Sequence, residues 1–435
     1  MLIEQTQIRI KGENGNLHYP QYRDNCISNI PDLLLEIFNV QKTAQPPKEE
    51  IAENICPEHN LKVILLVIDG FGFNQYLKHY KENQFLNKLA TKGEVEPLTS
   101  VFPSQTTNAL TTLNTGLTPQ EHGIFEYFIY LKNMGIVNSL RFERLDPKRK
   151  QNKEIDPSIM LLKGKPTIHN RLREQGIPTF THINAANAFN GCSKLIFQGS
   201  TVIPAAKTSD TIVQLRKKLE ENSDNSAYFF VHLDTLDTIS HEYGPDSCEY
   251  SAELSLITYL LNRELVQKID PKTAKETVLL LTADHGGVTV NPKETIYLQK
   301  TALPLQTAKN RKPIWPTGSP RDIFLHIKKE KLAETKEWLN QKIGGKAQII
   351  ETQEAAKNGL FGLNSVSEGF FERTGNLLIL PYGNETVWFE NPEDRKISYL
   401  GQHGGLSKQE MVVPFAVANL SNLREKSSFR FKPTA

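Results

Sequence analysis

Cysteine is scarce. Four occur in 435 residues, at Cys26, Cys56, Cys192 and Cys248, and no two form a CxxC pair. That excludes a disulfide scaffold and a structural zinc site built on paired thiolates. It leaves the four as small buried hydrophobes. Long apolar runs are also missing; the longest, near Val63 to Ile68, is too short to span a bilayer. The opening stretch MLIEQTQIRIKGENG has no apolar core and does not read as a signal peptide. Neither sign of charge dominates, with 51 basic against 49 acidic residues and a net charge of +2. A nucleic-acid or membrane surface is therefore not an expected partner. The expectation is a soluble, cytoplasmic protein, long enough for one large or two medium domains.

What is present is a repeated local pattern. KVILLVIDG (Lys62 to Gly70), AYFFVHLDTLD (Ala227 to Asp237) and TVLLLTADHGG (Thr277 to Gly287) are apolar, β-rich runs that close on acids. Continuous runs of this kind suit central parallel strands buried on both faces. Between them, Asp210 to Asn222 and Tyr250 to Ile269 carry apolar residues at helical spacing. Strands alternating with helices predict an α/β sheet, whose ligand site lies beyond the carboxyl ends of its strands. Asp69, Asp237 and Asp284 would then meet at one rim. Residues 1–60 read as an irregular N-terminal extension packing on the core, with PPKEE at 46–50 a polar loop. The catalytic core takes residues 61–290 and 395–435. Residues 291–394, with a helix over Lys331 to Ile343, read as an inserted α+β cap.

Several fragments carry chemistry, and each also has an ordinary structural use. A strand-end carboxylate such as Asp69 is costly to bury without a cation or hydrogen bonds, yet Asp also caps helices. DTISH places Asp237 and His241 on one face of a helical turn, where they suit one metal ion or form a plain surface pair. Asp234, three residues earlier, is a decoy or a supporting group. ADHGG puts Asp284 and His285 at a strand end before two glycines that permit a sharp turn. GQHGG repeats that setting around His403. VFPSQTTNALTTLNTG predicts a helix from Thr106 or Thr107 to Asn114. Its free N-terminal N–H groups would suit an anion, and a hydroxyl there would suit a metal-activated nucleophile or a helix cap.

Taken together, in this order, the fragments resemble the alkaline phosphatase superfamily, and within it the type I phosphodiesterase/nucleotide pyrophosphatase branch. The motifs are the strand-end Asp69, P-S-Q-T leading to T-G-L-T-P-Q-E-H-G, D-T-I-S-H, D-H-G and the late H-G-G, spread between Lys62 and Ala416. The resemblance implies an alkaline-phosphatase-like, mostly parallel sheet flanked by helices. It implies two divalent ions, zinc by the mixed His/Asp donors, with manganese or iron compatible. Asp237, His241 and His403 would hold one ion. Asp69, Asp284 and His285 would hold the other, with Thr106 bridging to it and attacking phosphorus through a phospho-threonine intermediate. His122 matches a structural position of the family.

The implied substrate is a small phosphate ester. The family places an asparagine 21 positions after the nucleophile; Tyr127 stands there instead. Asn108, Arg141 and Arg321 are further candidates for substrate contact, the arginines because a guanidinium fork suits phosphate. The leading reading is a phosphodiesterase or nucleotide pyrophosphatase. A phosphomonoesterase or phosphonate hydrolase using the same site is the alternative. A phosphotransferase is a further reading, since a phospho-threonine can pass its phosphoryl group to an alcohol, whereas an inactive binding module would be expected to have lost ligands that are all present here. A sulfatase would need Cys or Ser in place of Thr106. Nothing in the sequence fixes the oligomeric state.

Overall fold

The fold comes from a computed structural model, which describes residues 17–40, 60–144, 164–309, 311–390 and 397–424. The strands of its two larger sheets are, in chain order, β1 (Lys62–Ile68), β2 (Glu94–Thr99), β3 (Thr179–Asn184), β4 (Thr201–Ala205), β5 (Ala227–Leu233), β6 (Thr277–Thr282), β7 (Thr317–Ser319), β8 (Asp322–Leu325), β9 (Ala347–Glu351), β10 (Leu377–Pro381) and β11 (Val412–Asn419). Seven form one sheet in the order β2-β11-β6-β1-β5-β3-β4. β1 lies at its centre and is buried at all seven positions, as are β5 and β6 at theirs. Burial on both faces is why these runs show no polar alternation. β1 pairs in parallel with β5 and β6, and β3 with β4 and β5, whereas β11 runs antiparallel to β2 and β6. The sheet is therefore mixed but mostly parallel, and helices flank it.

The helices that matter below are α1 (Ile30–Ile37), α2 (Thr106–Thr115), α3 (Thr208–Glu221), α4 (Thr235–Tyr243), α5 (Cys248–Leu260) and α6 (Leu332–Ile343). α1 corrects the reading of residues 1–60 as irregular. Pro31 opens it, and Ile30, Leu33, Leu34, Leu35 and Ile37 are buried in the main core. Its IPDLLLEI run is only eight residues long, shorter than the stretch over which a helical period is read. The helix expected over Tyr250–Ile269 stops at Leu260 and continues as a π-helical turn, Leu261–Val266. The polar loop at 46–50 and Cys56 lie outside the described residues. Cys26 and Cys192 are buried, but Cys248 is exposed at the first position of α5, so the buried reading fails there.

The segment after Asn291 builds a four-stranded antiparallel sheet, β7-β8-β10-β9, packed beside α6. Alternation along its strands divides the side chains. Ile323, Leu325, Leu377 and Ile379 enter a second apolar cluster with Leu339 and Ile343 of α6, while Phe324, Leu378 and Leu380 enter the main core. Among the described residues, no helix is long and apolar enough to cross a membrane.

Candidate metal centre

Asp69 follows β1 directly and is buried; its N–H donates to Leu233 O of β5 at 2.9 Å. Gly70 then turns the chain at φ +72°, and a Cβ there would lie 3.0 Å from Asp237 Oδ1. Glycine is required both for the left-handed backbone and to leave room for that carboxylate. β5 ends at Leu233, earlier than the expected Ala227–Asp237, so Asp237 sits in the first turn of α4. His241 follows one turn later on the same face. β6 ends at Thr282 and delivers Asp284 and His285, both fully buried. A side chain at Gly286 would collide with Gln409 O, 2.0 Å from its Cβ. A short antiparallel ladder, Val288–Thr289 against Gly401–Gln402, then brings the second H-G-G turn beside the first and presents His403.

The side chains converge. His285 Nε2 lies 3.3 Å from Asp284 Oδ2 and 3.5 Å from Asp69 Oδ1. His241 Nε2 lies 3.2 Å from Asp237 Oδ2 and 3.2 Å from His403 Nε2, and His403 Nε2 is 4.0 Å from Asp237 Oδ1. Donor atoms of Asp69, Asp284 and His285 lie within 4.8 Å of one another, as do those of Asp237, His285 and His403. Thr106 is the first residue of α2, and its Oγ1 sits 3.2 Å from His285 Nε2.

The hydrogen bonds test whether this set fits metal ions. The Nδ1 atoms of His241, His285 and His403 face the carbonyls of Gly401, Gly286 and Ser104 at 2.9, 2.8 and 3.0 Å. A carbonyl only accepts, so each Nδ1 carries a proton, and in the neutral ring Nε2 is the atom left to offer a lone pair. The Nε2 atoms of His241 and His403 face each other 3.2 Å apart. Asp69 Oδ1 and Asp284 Oδ2 are buried without a hydrogen-bond partner. Acceptors gathered in this way fit a cation.

In the isolated chain, protons partly take the place of a cation. Burial, then the neighbouring Asp284 and Asp237 carboxylates, push Asp69 well above its ordinary range. Burial also opposes ionisation of Asp237, yet His241 and His403 hold its carboxyl below the usual value. Burial would lower His241, but Asp237 raises it to about 9. Burial, reinforced by His285, lowers His403 to about 3.

A sequence model of the type I phosphodiesterase/nucleotide pyrophosphatase family matches residues 63–406, which span the whole cluster. The chain belongs to this family. Among relatives of the family, venom phosphodiesterase CdcPDE of Crotalus durissus collilineatus is 27% identical over 231 residues, 52% of this chain and 26% of that protein. The chain thus spans about a quarter of the length of such relatives. An inactive variant of murine ectonucleotide pyrophosphatase/phosphodiesterase 5, solved in complex with AMP, has a TM-score of 0.56 at 16% identity, covering 84% of this chain and 93% of that one. Phosphonoacetate hydrolase from Sinorhizobium meliloti has a TM-score of 0.54 at 17% identity, covering 87% of this chain and 93% of that one. At these identities the likeness concerns the fold, which is that of the alkaline phosphatase superfamily.

The remaining candidates of this family member separate. Tyr127 is 37% exposed, packs edge-on against Phe128, and its hydroxyl has no hydrogen-bond partner among the described residues. Asn108 is buried and donates to Pro103 O at 2.7 Å, which braces the loop before α2. Arg141 is exposed, and its backbone N–H donates to Asn138 Oδ1. Arg321, a candidate for substrate contact, is instead tied into the fold. It is fully buried, its Nε and Nη2 bind Glu410 at 3.0 and 2.8 Å, and Nη2 and Nη1 donate to Gly383 O and Glu385 O. Four of its five N–H groups are thereby engaged within the fold. His122 is buried between Thr112 and the Ile124 N–H. Asp234 accepts from Asn184 and Asn187. Sequence reasoning missed His232, whose Nε2 meets Asp69 Oδ2 at 3.1 Å. Its only trace is a histidine inside an otherwise apolar strand run.

Proposed function

We propose that this chain is a metal-dependent phosphoester hydrolase acting through Thr106 as nucleophile. The observation that carries the reading is the position of Thr106. Its hydroxyl heads a buried helix, 3.2 Å from His285 Nε2, at the edge of the converging donor cluster. Asp237, His241 and His403 would hold one divalent ion; Asp69, Asp284 and His285 would hold the other. Bound there, such ions neutralise charge on the phosphoryl group and lower the pKa of a hydroxyl or water. Zinc suits the mixed imidazole and carboxylate donors best.

The chain's own contribution is placement. Gln105, at the N-cap, makes no side-chain capping bond, so the first N–H groups of α2 are left for phosphoryl oxygens. Thr106 Oγ1 attacks phosphorus and the ester oxygen leaves in line, giving a phospho-threonine. Water then displaces Thr106 and releases phosphate or a phosphomonoester. Residues 291–394 would cap the site, with residues 1–60 packed on the core. A small phosphodiester or nucleotide-like anhydride is the favoured substrate. The fold shared with phosphonoacetate hydrolase, and Tyr127 in place of the family's asparagine, support a second reading as phosphomonoesterase or phosphonate hydrolase.

Thr106→Ala tests the nucleophile. Turnover should fall at least about 10³-fold with metal content unchanged; substantial residual activity would refute it. Comparing bis-p-nitrophenyl with mono-p-nitrophenyl phosphate separates the two substrate readings.

A further inference from the structure

The two carboxylates next to His285 are each half saturated. Asp284 Oδ1 accepts from the N–H groups of Gly70 at 3.1 Å and His285 at 2.9 Å, which leaves Oδ2 bare. Asp69 Oδ2 accepts from His232 Nε2 at 3.1 Å, which leaves Oδ1 bare. Both bare oxygens face His285 Nε2, at 3.3 and 3.5 Å. Main-chain donors fix Asp284. A single side chain fixes Asp69.

Strand register explains how His232 reaches it. β1 and β5 run parallel with Val67 opposite His232. Registered residues share a face of the sheet, and Asp69 lies two residues beyond Val67 on that face. His232 is 3% exposed, and its Nδ1 has no hydrogen-bond partner. The neutral tautomer protonated at Nε2 is therefore the one that leaves no buried N–H unpaired.

We propose that His232 is a positioning residue that restricts Asp69 to one coordinating oxygen, and so biases this ion site toward zinc over manganese. This rests on the two-ion reading above. An ion of low coordination number takes one oxygen from each carboxylate, whereas manganese accepts the additional oxygen that a freed Asp69 would offer. Residues that orient a ligand typically contribute 10- to 100-fold in metal affinity.

The test is titration of zinc and of manganese into the full chain after chelator treatment, followed by calorimetry. The wild type is compared with His232→Phe, His232→Gln and Asp69→Asn. His232→Phe should weaken zinc binding at one site by about 10- to 100-fold and shrink the zinc-to-manganese affinity ratio. His232→Gln keeps an N–H donor and should preserve most of that ratio. The ratio is read within each variant, so it also decides if His232→Phe is only partly folded. An unchanged zinc affinity and ratio in His232→Phe, with Asp69→Asn impaired, overturns the role of His232 and leaves the metal centre standing. A ratio lost equally in His232→Gln also overturns it. Unchanged binding in Asp69→Asn would instead refute the metal-centre reading.

Discussion

The imidazole rings of His285 and His403 stack with centroids 3.7 Å apart and planes 11° apart. They come from two H-G-G turns far apart in sequence, joined by the ladder between Val288–Thr289 and Gly401–Gln402. His285 belongs to both groups of converging donors, and His403 to one. With Nδ1 donating to Gly286 O, His285 has one lone pair, at Nε2, and can hold one ion only. His403→Ala and His285→Ala should therefore each lower the stoichiometry from about two ions per chain to about one. Elemental analysis of the purified variants measures both; unchanged stoichiometry in either would contradict its place in the ligand set.

Arg321 and Glu410 form a fully buried ion pair. Removing one member leaves an unpaired buried charge, which costs roughly 3–5 kcal/mol. Arg321→Met should therefore lower the urea midpoint strongly while leaving KM near that of the wild type in the folded fraction. A raised KM with unchanged stability would return Arg321 to the substrate site.

Burial pushes the Glu126 carboxyl up to about 8, despite its contacts with the Tyr127 N–H and Asp322. Asp322 is likewise raised by burial and by Glu126. A carboxyl with a raised folded pKa binds its proton more tightly when folded. Its stabilisation is complete below the unfolded value and is lost as pH climbs to about 8. Melting temperature should thus fall across that window in the wild type and fall less in Glu126→Gln, which stays neutral. Parallel profiles would rule out this proton.

Tyr127 presents a hydroxyl without a hydrogen-bond partner among the described residues. If it donates to a phosphoryl oxygen, one neutral hydrogen bond of about 0.5–1.5 kcal/mol is at stake. Tyr127→Phe should then lower kcat/KM roughly 2- to 10-fold with metal content unchanged. An unaltered kcat/KM on every ester tried would place the hydroxyl outside the pocket.

The sequence by itself carried whatever depends on neighbours along the chain. The unbroken apolar runs of β1, β5 and β6 announce strands buried on both faces, and the glycines after Asp69, His285 and His403 announce turns. The helix starting at Thr106 is legible for the same local reason. Tertiary structure decided what depends on register and packing. α1 is too short for its period to stand out, and only packing into the main core shows it as an element. Arg321 resembles a phosphate clamp until Glu410, 89 positions away, is seen to occupy it. His232 gains its meaning only when β5 aligns with β1 and sets it against Asp69. Local spacing reveals which residues have metal-binding chemistry; only the folded sheet fixes which oxygen each of them has left to offer.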